Sequence, residues 1–141
     1  MNTAVDRVVD LFERLAPAGL GGLGQIYAPS ARFVDPFNDV TGVGAIKRVF
    51  EHMFQTLENP RFVIIDRVVG QQQCFLTWDF HFQFRRFGNG VAHTIHGGSH
   101  LFLDAAGLIT VHRDYWDAAL LYEAMPVIGA PMRWLRRRAA T

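Results

Sequence analysis

Apolar positions recur along this chain with two different periods, and the change of period divides it. Val5, Val8, Val9, Phe12 and Leu15 fall three and four apart, the spacing of a helix with one buried face. Thr3 followed by Asp6 is an Asp-bearing form of a capping box at its start, and Ala16-Pro17 ends it. A glycine-rich turn then leads into a short second helix predicted over residues 23–27. Residues 31–35 read as a short strand stopped by Pro36, which lacks a backbone N–H and restricts the residue before it, so Asp35 falls at a strand end. Helical spacing returns with Ile46, Val49, Phe50, Met53, Phe54 and Leu57, in a helix that Thr41 can cap and Asn59-Pro60 ends.

From Arg61 onward the period is two. Residues 61–69, 73–84 and 91–103 read as long antiparallel strands joined by turns at Gly70-Gln71 and Gly88-Asn89-Gly90. A tight turn at Asp104-Ala105-Ala106-Gly107 leads to a last strand over residues 108–116, completing a meander of four strands. Residues 118–125 and 131–138 read as helical, with a break between Pro126 and Pro131. Helices first and a long antiparallel sheet afterwards is an α+β order. A strongly curved sheet wrapped around its helices makes a cone-shaped barrel with an apolar pocket inside, and residues 118–141 form a C-terminal helical extension of a single domain spanning 1–141.

Composition narrows the reading. Half of the residues are hydrophobic, with 12 Phe and 3 Trp, enough aromatic surface to wall a pocket as well as fill a core. The formal net charge of +1 creates no field that would recruit nucleic acid. The single cysteine, Cys74, has no partner for an internal disulfide, and the N-terminus lacks the pattern of a signal peptide, which places the expected home in the reducing cytoplasm. No apolar run has the length of a membrane span.

The chemistry concentrates on the last strand. His112, Asp114 and Trp116 alternate with Val111, Arg113 and Tyr115 and therefore share one sheet face. Trp78, Phe80 and Phe82 are assigned to the same inner face, as ligand-binding residues together with Phe50, Met53, Leu101 and Trp116. A carboxylate desolvated in an aromatic pocket becomes a usable base near neutral pH. Asp35, His112 and Asp114 thus form a candidate acid–base set. The alternative for them is structural, with Asp35 capping its turn and His112 and Asp114 bonded to each other.

Other motifs carry less. Gly19 to Gly24 match G-x-G-x-x-G, but a helix precedes them where a dinucleotide site needs a strand. His96 and His100 share a face yet lie about 13 Å apart along a strand, and His93 points the other way, so no metal site is expected. No cofactor is called for. Arg133, Arg136, Arg137 and Arg138 form a basic tail whose charges complement a helix C-terminus; a solvated helix end is the first reading and contact with anionic lipid the alternative.

Three segments line up in one pattern: Ile26 to Pro36, Gly42 to Phe50 as Gly-x-x-x-Ile-x-x-x-Phe, and the hairpin from Ser99 to Asp117. Together they resemble the nuclear transport factor 2-like superfamily, in its SnoaL-like and ketosteroid isomerase-like branch. In the isomerases the Asp-Pro after the first strand supplies the general base, and Asp35-Pro36 matches that place. Their oxyanion hole uses a tyrosine and a protonated aspartate. Leu11 and Ser99 stand at those places here, so a strict ketosteroid isomerase is not implied. SnoaL-type polyketide cyclases and limonene epoxide hydrolases also rely on pocket aspartates, although the Asp-x-Arg pairing of the hydrolases is missing.

The resemblance implies a small, largely apolar ligand and cofactor-free acid–base chemistry of isomerase, cyclase, dehydratase or hydrolase type. Asp35 would take a proton, His112 would relay it, Asp114 would orient His112, and Ser99 would hydrogen-bond the oxyanion. A non-catalytic ligand-binding or scaffold module is the alternative. The superfamily also implies a homodimer formed through the outer sheet face, where His81, His96, His100, Arg113 and Tyr115 would lie.

Overall fold

The computed structural model describes residues 2–87 and 90–141. Helix α1 (Asn2–Glu13) buries Ala4, Val5, Val8, Val9 and Phe12, the stripe given by its spacing. Because the helix already runs at Asn2, Thr3 lies inside it, and Asp6 pairs with Arg67 at 2.5 Å instead of closing a capping box. The glycine-rich segment forms a 3-10 helix over Pro17–Gln25 that buries Leu20 and Leu23, and Tyr27, expected in a helix, opens a strand. That strand, β1, spans Tyr27–Val34 and pairs antiparallel with β2 (Asp39–Thr41). Thr41 therefore belongs to a strand, and the cap of α2 (Val43–Thr56) is Gly42, whose φ of 98° suits a residue without Cβ.

Strands β3 (Leu57–Gly70), β4 (Gln73–Phe84), β5 (His93–Leu103) and β6 (Ile109–Trp116) form the expected meander. The expected end of α2 at Asn59-Pro60 is instead an irregularity within β3, with Asn59 at φ 50°. The expected turn at Gly88-Asn89-Gly90 falls largely outside the described residues. The sheet has six strands in the order β2-β1-β6-β5-β4-β3, curved and unclosed, and β1 runs parallel to β6. Helices α1 and α2 supply Val5, Val8, Phe12, Ile46 and Phe50 to a core shared with Tyr27, Phe33, Leu76, Trp78, Leu101 and Ile109 from the sheet's inner face. The chain closes with α3 (Ala118–Glu123), capped by the Asp117 carboxylate, and α4 (Gly129–Ala139). Among the described residues no helix is long and apolar enough to cross a membrane.

Candidate functional site

The site is built on the β5–β6 ladder. Gly97 lies opposite Trp78 on one side and Trp116 on the other, and a Cβ at Gly97 would stand 2.6 Å from the Trp78 indole. The missing side chain lets that indole lie flat across the inner face. One step along the same face, Ser99 opposes Asp114, and Leu101 opposes His112.

A bulge decides which residues share this face. Phe102 pairs with Val111 and Leu103 with Ile109, leaving Thr110 as the extra residue on β6. Ile109 and His112 both end up inside despite their odd spacing. Because the bulge precedes His112, the alternation of His112, Asp114 and Trp116 continues unbroken to the end of the strand.

These residues form a continuous hydrogen-bonded chain. His112, 3% exposed, is enclosed by Phe12, Tyr27 and Phe33. Its Nδ1 lies 2.6 Å from the Tyr27 hydroxyl and its Nε2 lies 2.6 Å from Asp114 Oδ1. The Ser99 hydroxyl donates to the same Oδ1 at 2.5 Å, and the Trp78 indole N–H donates to Ser99 Oγ at 2.9 Å. Burial, and secondarily the charge of Asp114, push the Tyr27 phenol well above its ordinary pKa, so it keeps its proton. In the neutral-ring tautomer that satisfies both nitrogens, Tyr27 donates to Nδ1 and Nε2–H donates to Asp114. Both donors converge on Oδ1. Oδ2 accepts no hydrogen bond among the described residues.

Asp114 also lines the main cavity, a space of about 540 Å³ between the sheet, α2 and α3. Of the ligand-binding residues read from the sequence, Phe50, Met53, Trp78, Phe80 and Trp116 line it. Phe82 and Leu101 do not: Phe82 packs with Phe84 and Ile95, and Leu101 is sealed in the core. His112 and Ser99 lie behind Asp114, against a small adjoining void that shares Asp114, Trp78, Phe50 and Phe62 with the main cavity. The structure thus brings the three sequence candidates His112, Asp114 and Ser99 together, with the Ser99 hydroxyl and His112 Nε2 both bonded to Asp114 Oδ1.

Asp35 lines the same cavity but is held differently. Its Oδ1 accepts from the backbone N–H groups of Phe37 at 2.8 Å and Asn38 at 2.7 Å, and from the Asn38 amide at 3.0 Å. Its Oδ2 accepts from the same amide at 3.2 Å. This is an Asx turn, the structural alternative open for this residue from sequence.

Tyr27, Asn38 and Arg86 were missed in the sequence. Tyr27 meets His112 across 85 residues through the parallel β1–β6 pairing, which no local period signals. Arg86 lines the cavity from just beyond β4. The outer-face histidines have partners of their own: His96 with Asp79 at 2.7 Å, His81 with Thr94 at 2.8 Å and His100 with Gln73 at 2.9 Å. Among the described residues no group of three or more His, Cys, Asp or Glu side chains is placed to hold a metal ion. Leu11, at the isomerase tyrosine's place, lines a separate crevice between α1 and the 3-10 helix.

Helices laid into a curved, open six-stranded sheet, with a pocket between them, define the nuclear transport factor 2-like class of fold. The chain belongs to the SnoaL-like domain family, whose model matches residues 8–112. No curated protein matches it by sequence. Among solved structures it is similar to a candidate SnoaL-like polyketide cyclase from Jannaschia sp. CCS1, with a TM-score of 0.76 and 16% identity over 92% of this chain and 94% of that one. A protein of ketosteroid isomerase-like fold from Catenulispora acidiphila, solved with trimethylamine, gives a TM-score of 0.74 and 16% identity over 93% and 95%. TerC, co-crystallised with polyporic acid, gives 0.72 and 15% over 86% and 94%. At these identities the likeness is one of fold.

Proposed function

We propose that the protein binds a small, largely apolar molecule in the main cavity and moves a proton on it without a cofactor, with Asp114 as the group that takes the proton. The observation that carries this reading is the asymmetry of Asp114: Oδ1 receives Ser99 and His112, while Oδ2 has no partner among the described residues and lies in an aromatic-lined space. A carboxylate clamped through one oxygen presents the other in a fixed direction, which is what a general base requires. The proton leaves a carbon beside a carbonyl, binds Oδ2, and is returned to the ligand from the same acid, so the residue is regenerated. Arg86 also lines the cavity and would face the developing negative charge. Polyporic acid in TerC and the polyketide cyclase assignment of the Jannaschia protein support a carbonyl-bearing apolar ligand.

Deuterium incorporation from D₂O into a panel of small apolar ketones and diketones, followed by NMR, tests the reading. Wild-type protein is expected to catalyse exchange, Asp114→Asn to lose about 10³-fold of it, and Asp35→Asn to stay within about tenfold. Full exchange in Asp114→Asn, or its loss only in Asp35→Asn, overturns the assignment.

The exposed outer-face residues Val68, Phe102 and Tyr115 favour pairing with a second copy of the chain through the sheet. Sedimentation is expected to report a dimer that Phe102→Asp dissociates, and a monomeric wild type refutes the pairing.

A further inference from the structure

Helix α4 has two faces of different composition. Gly129, Met132, Arg133 and Arg136, at positions i, i+3, i+4 and i+7, form the face toward α3. Gly129 is buried so close to α3 that a Cβ would stand 2.5 Å from the Glu123 carbonyl. Arg133 donates to that carbonyl at 2.7 Å, and Arg136 pairs with Asp117 at 2.7 Å and Glu123 at 3.1 Å. Among the described residues, the side-chain polar contacts that anchor α4 to the rest of the chain are on this side.

The second stripe has the same spacing and the opposite character: Pro131, Trp134, Leu135 and Arg138. Trp134 and Leu135 are each 53% exposed, and Val127 and Ile128, just before the helix, are 87% and 40% exposed. Arg138 lies over the Trp134 ring at 5.8 Å. Arg137 and Arg138 have no carboxylate partner among the described residues. Four large apolar side chains held in water beside two unpaired guanidinium groups make a surface whose complement is both apolar and anionic.

We propose that this face of α4 docks on the anionic surface of a lipid bilayer. Trp134, Leu135, Val127 and Ile128 enter the boundary between headgroups and acyl chains, and Arg137 and Arg138 meet lipid phosphates. At 11 residues the helix is about 16 Å long, too short to cross and suited to lying in the interface. Charge counting along the tail did not separate the arginines by face. The α3 contact does, by engaging Arg133 and Arg136, while Arg138 lies over Trp134 and Arg137 has no carboxylate partner among the described residues. A nucleic-acid surface would use the arginines but offers no place to bury Val127, Ile128 and Leu135.

The test uses the full chain with vesicles of phosphatidylglycerol mixed with phosphatidylcholine, against vesicles of phosphatidylcholine alone, in low-salt buffer. Co-sedimentation is expected with the anionic vesicles, with a blue shift of tryptophan emission. Arg137→Gln with Arg138→Gln should weaken partitioning about 30-fold, each surface-proximal arginine contributing about fivefold. Trp134→Phe should keep binding and lose the blue shift, whereas Trp134→Ser should weaken binding. Absence of partitioning, equal partitioning onto both vesicles, or binding indifferent to Trp134→Ser overturns the proposal. Binding to duplex DNA with none to vesicles also overturns it, in favour of a nucleic-acid surface.

Discussion

Asp35 and Asp114 line one cavity, and their carboxylates are held by opposite means. Asp35 is bonded to its own turn: three of its four hydrogen bonds reach one oxygen, the fourth reaches the other, and all come from residues two or three positions ahead. Asp114 is bonded to Ser99 across the sheet on β5 and to His112 two residues earlier on its own strand β6, among the described residues through Oδ1 alone. The first arrangement folds a loop. The second aims a side chain, because its donors belong to rigid strands and leave one acceptor open to the cavity. Proximity to a pocket therefore does not distinguish the two aspartates; the accounting of their oxygen atoms does.

The wall behind Asp114 is the place to break this contrast, because its members are buried and share partners. His112→Ala removes a ring enclosed by Phe12, Tyr27 and Phe33 and strands both the Tyr27 hydroxyl and one acceptor position of Asp114. Chemical denaturation should show a loss of about 3 kcal/mol, the cost of a core cavity together with unpaired polar groups. Ser99→Ala leaves the Trp78 N–H without an acceptor and should cost about 2 kcal/mol. A Ser99→Ala variant as stable as wild type would mean that Oδ1 is not under tension from both sides, and the contrast with Asp35 would lose its basis.

How far this wall could be read from sequence depends on the range of each interaction. His112, Asp114 and Trp116 share a face through strand alternation, which is local, and Thr110 bulges just before them, so alternation holds where it matters. Without the bulge, alternation from Ile109 would have turned Val111, Arg113 and Tyr115 inward in place of His112, Asp114 and Trp116. The four-stranded meander and both long N-terminal helices have enough residues to show a period. Strand β2, at three residues, does not, and its residues 39–41 read as loop and cap. Tyr27 was out of reach for a different reason: its partner is set by the parallel β1–β6 register, a consequence of the whole sheet curving around α1 and α2. The Asx turn at Asp35 rests on the backbone N–H groups of Phe37 and Asn38, whose orientation no hydrophobic period encodes.

Tyr27 sharpens the comparison through pH as well as stability. Tyr27→Phe leaves His112 Nδ1 unpaired in the core and should cost about 1.5 kcal/mol at neutral pH. Burial raises the phenol well above its ordinary value of 10.0, so above that pH the unfolded chain releases this proton while the folded chain retains it. The native state then binds more protons than the unfolded state, and stability falls as pH rises beyond 10.0. Cys74, raised by burial from 9.0 to about 11, adds a decline of the same sign beginning one unit lower. The alkaline slope should therefore be shallower in Tyr27→Phe than in wild type above pH 10.0, with the Cys74 part unchanged. Parallel slopes would place Tyr27 outside the buried chain.

Asp35 should give the smallest effect, and its lack of coupling is the more informative result. Asp35→Ala removes a half-buried Asx turn whose backbone N–H groups can turn to water, for a loss of about 1 kcal/mol. Ser99 and His112 share Asp114 Oδ1, so their double variant should depart from additivity by about 0.5–3 kcal/mol. Asp35 shares no partner with either residue, so Asp35→Ala combined with Ser99→Ala should add within about 0.5 kcal/mol. Coupling of Asp35 to Ser99 as strong as that of His112 would join the two carboxylates into one network. The two sides of the cavity would then have to be treated as a single acid–base unit.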